Sequence, residues 1–152
     1  MQKLFLTFFY TGLAPFAPGT FGSIAAAFVG YIILLYLPIS TLFLLTILIS
    51  IIAVKSINKY EKESGIHDDK SIVIDEVAGV WLAFVLSSTT ITQMVLSLVY
   101  FRIFDIWKPS IIGRIDRKVD GGLGVMGDDL VAGVVAGICS AATWQFIEKF
   151  LA

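Results

Sequence analysis

The chain has 152 residues, enough for one domain; 57% are hydrophobic, only 15% are charged, and the net charge is −1. Soluble domains carry about a quarter charged residues, and a single core of this size cannot bury so much apolar surface, so lipid is expected to cover the rest. The near-neutral charge leaves no footprint for nucleic acid, and a lone cysteine, Cys139, excludes an intrachain disulfide or a multi-cysteine metal site.

Residues 4–10 form an apolar, aromatic run too short to span a membrane, read as an interfacial or buried helical turn. Pro15, Pro18 and several glycines follow it, so no cleavable signal peptide is expected. Residues 11–23 are uncharged and rich in Gly and Pro, which reads as a re-entrant loop. Residues 24–37 make the first apolar helix, with a possible start near Thr20. Pro38-Ile39-Ser40-Thr41 is a turn, and residues 42–54 complete a helical hairpin. This second helix is expected to run into residues 55–70, where Lys55, Lys59, Lys62, Glu61 and Glu63 recur at helical spacing, and to end at Gly65.

Ile72-Val73-Ile74 leads into Asp75 and Glu76, then an apolar helix over 77–86 and a break at Ser87-Ser88-Thr89-Thr90. Residues 94–107 are apolar apart from Arg102 and Asp105, and residues 108–119 are charged. Asp120-Gly121-Gly122-Leu123-Gly124 reads as a flexible turn, with Asp128 and Asp129 opening a last helix that reaches about residue 150. The expected fold is therefore all-α: one domain over residues 1–152, an integral-membrane helical bundle of five or six helices with a Gly/Pro-rich re-entrant N-terminal loop. Lys and Arg gather in residues 55–70 and 108–118 and are missing from the turns at 38–41 and 87–93. The positive-inside rule puts both charged segments and the Gly/Pro segment on the cytoplasmic side.

No Asp, Glu, Lys, Arg or His lies between Leu4 and Val54. Farther on, acids cluster at the edges of apolar segments, where a carboxylate is costly without a partner or a task. Taken singly, Asp75 with Glu76 reads as a first-turn pair favoured by the helix dipole, and Asp128 with Asp129 as an N-cap. Two such pairs exceed what capping requires, and crowded carboxylates repel unless a cation neutralises them. Hard oxygen ligands suit Mg²⁺. Arg102, Asp105 and Lys108 follow one another at steps of three, so Arg102 and Asp105 share a helix face. They read either as an interfacial ion pair with Lys108 snorkelling, or as a metal-facing acid between two phosphate-binding cations. Thr20 and Ser23, with free backbone N–H groups before a helix, are candidates to hold a phosphate oxygen, although the Gly-Lys-Ser/Thr of a P-loop is missing. His67 reads as a surface residue, and no nucleophile of the Ser-His-Asp type stands out. Arg114, Arg117 and Lys118 suit anionic headgroups.

Four stretches occur in order along the chain: Ala17-Pro18-Gly19-Thr20-Phe21-Gly22-Ser23; Ile72-Val73-Ile74-Asp75-Glu76-Val77-Ala78-Gly79-Val80-Trp81; Phe101-Arg102-Ile103-Phe104-Asp105-Ile106-Trp107-Lys108-Pro109; and Gly122-Leu123-Gly124-Val125-Met126-Gly127-Asp128-Asp129-Leu130-Val131-Ala132-Gly133. Together they resemble the four motif blocks of the phosphatidylglycerophosphatase A family. The resemblance implies a Mg²⁺-dependent phosphatase of the bacterial inner membrane; the hydropathy adds that the chain passes through the membrane more than once, and the charge pattern puts the active site on the cytoplasmic side. It would convert phosphatidylglycerophosphate to phosphatidylglycerol and inorganic phosphate in phospholipid synthesis. On this reading Asp75, Glu76, Asp105, Asp128 and Asp129 form the metal-binding catalytic cluster, one of them serving instead as general base or nucleophile. Thr20, Ser23, Arg102 and Lys108 hold the substrate phosphate. The competing class is a non-enzymatic metal or ion carrier using the same acids. The uncharged first hairpin and the rim position of the acids argue against a transport path.

Overall fold

A computed structural model describes residues 1–66, 69–87 and 90–150. Among these residues there are seven α-helices and no strand: α1 (Gln2–Leu6), α2 (Pro18–Tyr36), α3 (Ile39–Ser64), α4 (Ile74–Ser87), α5 (Ile91–Trp107), α6 (Ile111–Lys118) and α7 (Gly121–Phe150), with a 3-10 turn at Thr11–Leu13. The all-α bundle expected from sequence is what forms; the short α1 and α6 raise the helix number to seven. Alone, helices this short are marginal in water. Tertiary contacts hold α1: the Gln2 side-chain amide donates to the Ser56 carbonyl at 2.8 Å, and the Val73 N–H donates to the Leu6 carbonyl at 2.9 Å. His67 lies outside the described residues.

The local chemistry explains most helix ends. α3 runs through the charged stretch, laced by Lys59 and Glu63 at 3.7 Å, and stops at Gly65 in the left-handed conformation, as its composition anticipated. α5 begins with a side-chain N-cap: the Thr90 hydroxyl accepts from the Gln93 N–H at 3.4 Å and donates to the Gln93 side chain at 2.7 Å.

Helices α3 and α5 start three residues earlier than the sequence reading placed them, at Ile39 and Ile91, and two further differences bear on the site. Residues 18–23, read there as re-entrant loop with a possible helix start near Thr20, are the first turns of α2. Proline is well suited to the first helical position, and Gly22 lets this turn press against Val73, where a Cβ would come within 2.7 Å. Of the glycines read as a flexible turn, Gly121 does turn the chain, at φ 70°, but Gly122 and Gly124 are helical. They permit contact rather than freedom: a Cβ at Gly122 would collide with the Val54 carbonyl, and one at Gly124 with the Val119 carbonyl. The Asn58 side chain accepts the Gly122 N–H at 2.7 Å and caps the new start of α7. Asp128 and Asp129 consequently sit two turns inside α7, and their N-cap role is withdrawn.

α4, only 14 residues long, occupies the centre of the bundle and is packed by α2, α3, α5 and α7. Trp81 donates from its indole N–H to the Ala26 carbonyl at 2.8 Å, with Gly30 making room for the ring. The closest approach is between α4 and α7. A Cβ on Gly133 would collide with the Gly79 carbonyl, and one on Gly79 would come within 2.7 Å of the Asp129 carbonyl. α2, α3 and α7 are each long and apolar enough to cross a membrane. Their outer faces present Phe28, Ile32, Leu44, Leu48, Ile51 and Ile138 to the surroundings. Such an apolar surface is stable against lipid and a liability in water.

Gly79 and Gly133 each lie about one helical turn from the acids on their own helices. Gly133→Val should therefore separate α4 from α7, costing about 1–3 kcal/mol. The check is the thermal midpoint in detergent, with Gly127→Ala as control, since a Cβ there meets only the Ile115 side chain at 3.1 Å. An unchanged midpoint for Gly133→Val would contradict the packing.

Candidate active site

The alternation of helix direction brings the start of α2, the start of α4, the end of α5 and the early turns of α7 to one end of the bundle. A cavity of about 640 Å³ opens among them. Asp75 and Glu76 enter it from the first turn of α4, and Asp129 from α7. Oxygens of these three carboxylates all lie within 4.8 Å of one another. Adjacent acids on a helix point about 100° apart, and here the third helix closes the gap between them. A Cβ at Gly19 would collide with Glu76 Oε1, so α2 can lean on the cluster only because glycine stands there.

Arg102 is the principal counter-charge. Its Nη1 donates to Asp105 at 2.5 Å and to the Ser23 hydroxyl at 3.3 Å, its Nη2 donates to the Thr20 hydroxyl at 3.3 Å, and Glu76 lies 3.9 Å away. Ser23 is fully buried and donates to the Gly19 carbonyl at 2.8 Å. Thr20 and Ser23 thus fix the guanidinium rather than line the cavity themselves. Asp105 lines the cavity but pairs with Arg102, outside the three-carboxylate group.

Lys108 ends α5 in the left-handed conformation, φ 46°, which turns its side chain back toward α7. Its ammonium donates to Asp116 at 2.5 Å and to Asp128 at 2.6 Å. Burial alone would lower the Lys108 pKa, but the two carboxylate hydrogen bonds outweigh it and push it up. Lys108 is therefore a fixed positive charge. Asp128 is only 4% exposed, and its second oxygen, Oδ1, is buried without a hydrogen-bond partner among the described residues. Glu76 Oε2 and Arg102 Nε share that condition.

Seven of the nine site residues expected from sequence line one cavity: Asp75, Glu76, Arg102, Asp105, Lys108, Asp128 and Asp129. Thr20 and Ser23 join them through Arg102. The sequence reading missed Asp116, Asp69 and Lys70, which also line the cavity. Asp116 stands eight residues beyond Lys108, and the chain reverses between them at Ser110, φ 49° and ψ −103°; no helical spacing links the pair. Asp69 had a weak signal in its acidic loop. It accepts from the Tyr60 hydroxyl at 2.7 Å and the Ser71 N–H at 2.9 Å, which hold its carboxyl below the usual range.

Burial, then the charge of Glu76, pushes the Asp75 carboxyl well above the usual carboxylate range. Burial, then the charges of Asp129 and Asp105, does the same to Glu76, with Arg102 opposing. For an acid raised in the folded state, ionisation disfavours folding. Stability is complete below the unfolded value near pH 4 and is lost as pH climbs through the raised values, by up to about 1.4 kcal/mol per pH unit and group. With divalent cations chelated, the thermal midpoint should fall from pH 5 to pH 8, and Asp75→Asn should flatten the decline. An equally steep decline in Asp75→Asn would show that this cluster is not its source.

The model of the family described as Phosphatidylglycerophosphatase A matches residues 4–144. The chain is 43% identical over 129 residues to phosphatidylglycerophosphatase A of Escherichia coli (strain K12), covering 84% of this chain and 74% of that protein. It is 36% identical over 129 residues to the protein of the same name from Haemophilus influenzae, covering 84% and 79%. A relative from Bacteroides thetaiotaomicron, provisionally named a phosphatidylinositol-3-phosphatase, is 34% identical over 146 residues, 91% of each chain. No solved structure matches. The matched span contains all four blocks whose side chains meet in the cavity, and on these similarities the chain belongs to the phosphatidylglycerophosphatase A family of phosphatases.

Proposed function

We propose that this protein hydrolyses phosphatidylglycerophosphate to phosphatidylglycerol and inorganic phosphate, with Mg²⁺ as cofactor, at the cytoplasmic face of a bacterial inner membrane. The observation that carries the chemistry is the meeting of three carboxylates, Arg102 and Lys108 in one cavity at the end of an apolar bundle. The names of the relatives from E. coli and H. influenzae supply the substrate. The charge distribution along the chain supports the cytoplasmic side.

The donor set fits a small hard cation. It is made of carboxylate oxygens alone, three of them mutually within 4.8 Å, and Glu76 keeps a buried oxygen without a protein partner among the described residues. Asp75, Glu76 and Asp129 would hold the ion. When bound, it supplies positive charge to the phosphoryl oxygens, the main requirement of phosphoryl transfer.

The chain's own groups do the rest. Arg102 takes phosphate oxygens through its guanidinium, which Asp105, Thr20 and Ser23 hold in orientation beforehand. Lys108, kept charged by Asp116 and Asp128, is a second fixed cation and not a proton donor near neutrality. Asp128 would serve as general base: Lys108 anchors one oxygen, and Oδ1, without a hydrogen-bond partner among the described residues, would take the proton of the attacking water. Water adds to phosphorus as the bond to the glycerol oxygen breaks, and the leaving oxygen takes up the proton that Asp128 removed from the water.

Asp75→Asn and Asp129→Asn should each lower phosphate release by roughly a hundredfold or more while helical content is retained. Chelation by EDTA should abolish the activity and added Mg²⁺ restore it. Full turnover in either variant with Mg²⁺ limiting would remove that residue from the ion. Phosphatidylinositol 3-phosphate, the substrate named for the Bacteroides relative, is the comparator; a preference for it would reassign the headgroup.

A further inference from the structure

An apolar crevice of about 570 Å³ runs between α2 and α5 on the outer face of the bundle. Ile24 walls it on one side, and Leu98, Val99, Ile103 and Trp107 on the other. Thr20 and Arg102 bring a hydroxyl and a charge to its lining. Arg102 also lines the candidate active-site cavity, as does Ile106, so the crevice adjoins the site at the guanidinium. At its other end Leu98 also lines a second apolar hollow, reaching Tyr31 and Ile91. The seam therefore follows α5 from Trp107 to Ile91, roughly 24 Å at 1.5 Å per residue, more than one leaflet of a hydrocarbon core about 30 Å thick.

We infer that this seam seats one acyl chain of the lipid whose phosphate enters the cavity. The inference rests on the phosphatase reading and adds the place where the hydrophobic half of the substrate is held. Any lipid-facing groove fills with some hydrocarbon, so filling alone distinguishes nothing. What singles out this seam is continuity. The apolar crevice bounded by Phe43, Ile47, Leu82 and Val134 on the opposite side shares no lining residue with the cavity. A chain lying there could belong to any lipid. A chain lying between Ile24 and Val99 leads to Arg102 and hence to the phosphate. In the bilayer the substrate's chains are already out of water, so the crevice contributes orientation more than affinity. It fixes the depth and heading of the headgroup before chemistry. Ile24 and Val99 are more than half exposed, at 54% and 51%, so a larger ring at either position fills the crevice without entering the packed core.

The test compares two substrates in mixed detergent micelles: dipalmitoyl phosphatidylglycerophosphate and its deacylated, water-soluble counterpart. For Ile24→Trp and Val99→Trp, the ratio of kcat/KM for the lipid to that for the deacylated compound should fall roughly tenfold below that of the unsubstituted protein. An unchanged ratio, or an equal loss on both substrates, overturns the inference. Independently of those variants, Asp129→Asn protein is irradiated with a lipid phosphate carrying a mid-chain diazirine. Labels should concentrate on Ile24 and on residues 98–103; labels spread over the lipid-facing sides of α3 and α7 overturn it. If the unsubstituted protein hydrolyses neither substrate, the phosphatase reading fails first, and that result is distinct from both others.

Discussion

Three carboxylates held within one ion's reach at the end of an apolar bundle are the constraint around which the rest is arranged. In a medium of low dielectric such a group is unfavourable in its ionised form, and the surrounding residues answer that cost. Arg102 faces Glu76 and Asp105, and Lys108 sits between Asp116 and Asp128. Both cations are held at a length and angle set by helix ends. Buried charge is tolerated when it is paired and hydrogen-bonded. The same arrangement leaves one oxygen of Glu76 and one of Asp128 without a hydrogen-bond partner among the described residues.

Backbone proximity, rather than bulky side-chain interlock, brings the acids together. Gly79 and Gly133 let α4 and α7 touch one turn below Asp75, Glu76 and Asp129, and Gly19 lets α2 reach Glu76. Small residues at helix crossings are the usual device where lipid removes the hydrophobic drive for helices to associate. Here that device also sets the geometry of the chemistry. The price in conformational entropy falls on positions that a larger residue could not occupy without displacing one of the clustered acids or its backbone. α4 is too short to span a bilayer, and its service is to carry two acids into the centre while four longer neighbours shield it.

The motif blocks were legible because chemistry demands particular residue types: paired acids, an Arg three residues before an Asp, a Pro-Gly turn. The succession of α2 and α3 across a short proline turn and the extension of α3 to Gly65 followed from composition and spacing. The glycines at 122 and 124 misled. Glycine permits both a loose turn and a tight helical contact, and the choice between them lies with Val54, Asn58 and Val119. Ser23 was read as a donor to phosphate, yet its hydroxyl serves the Gly19 carbonyl and Arg102. Asp116 went unnoticed because its partner stands across a chain reversal.

What the sequence by itself determined is the class of the molecule and its reagents. An excess of apolar residues requires lipid-facing helices, and acids confined to the edges of those helices require a cation or cationic partners. What only the tertiary structure decided is the division of labour: Asp75, Glu76 and Asp129 facing one point, Asp105 given to Arg102, and Asp128 given to Lys108. The physical reason is that a carboxylate's role depends on what lies within about 3 Å of it. Those neighbours come from helices far apart in the chain, brought together by packing that no local spacing encodes.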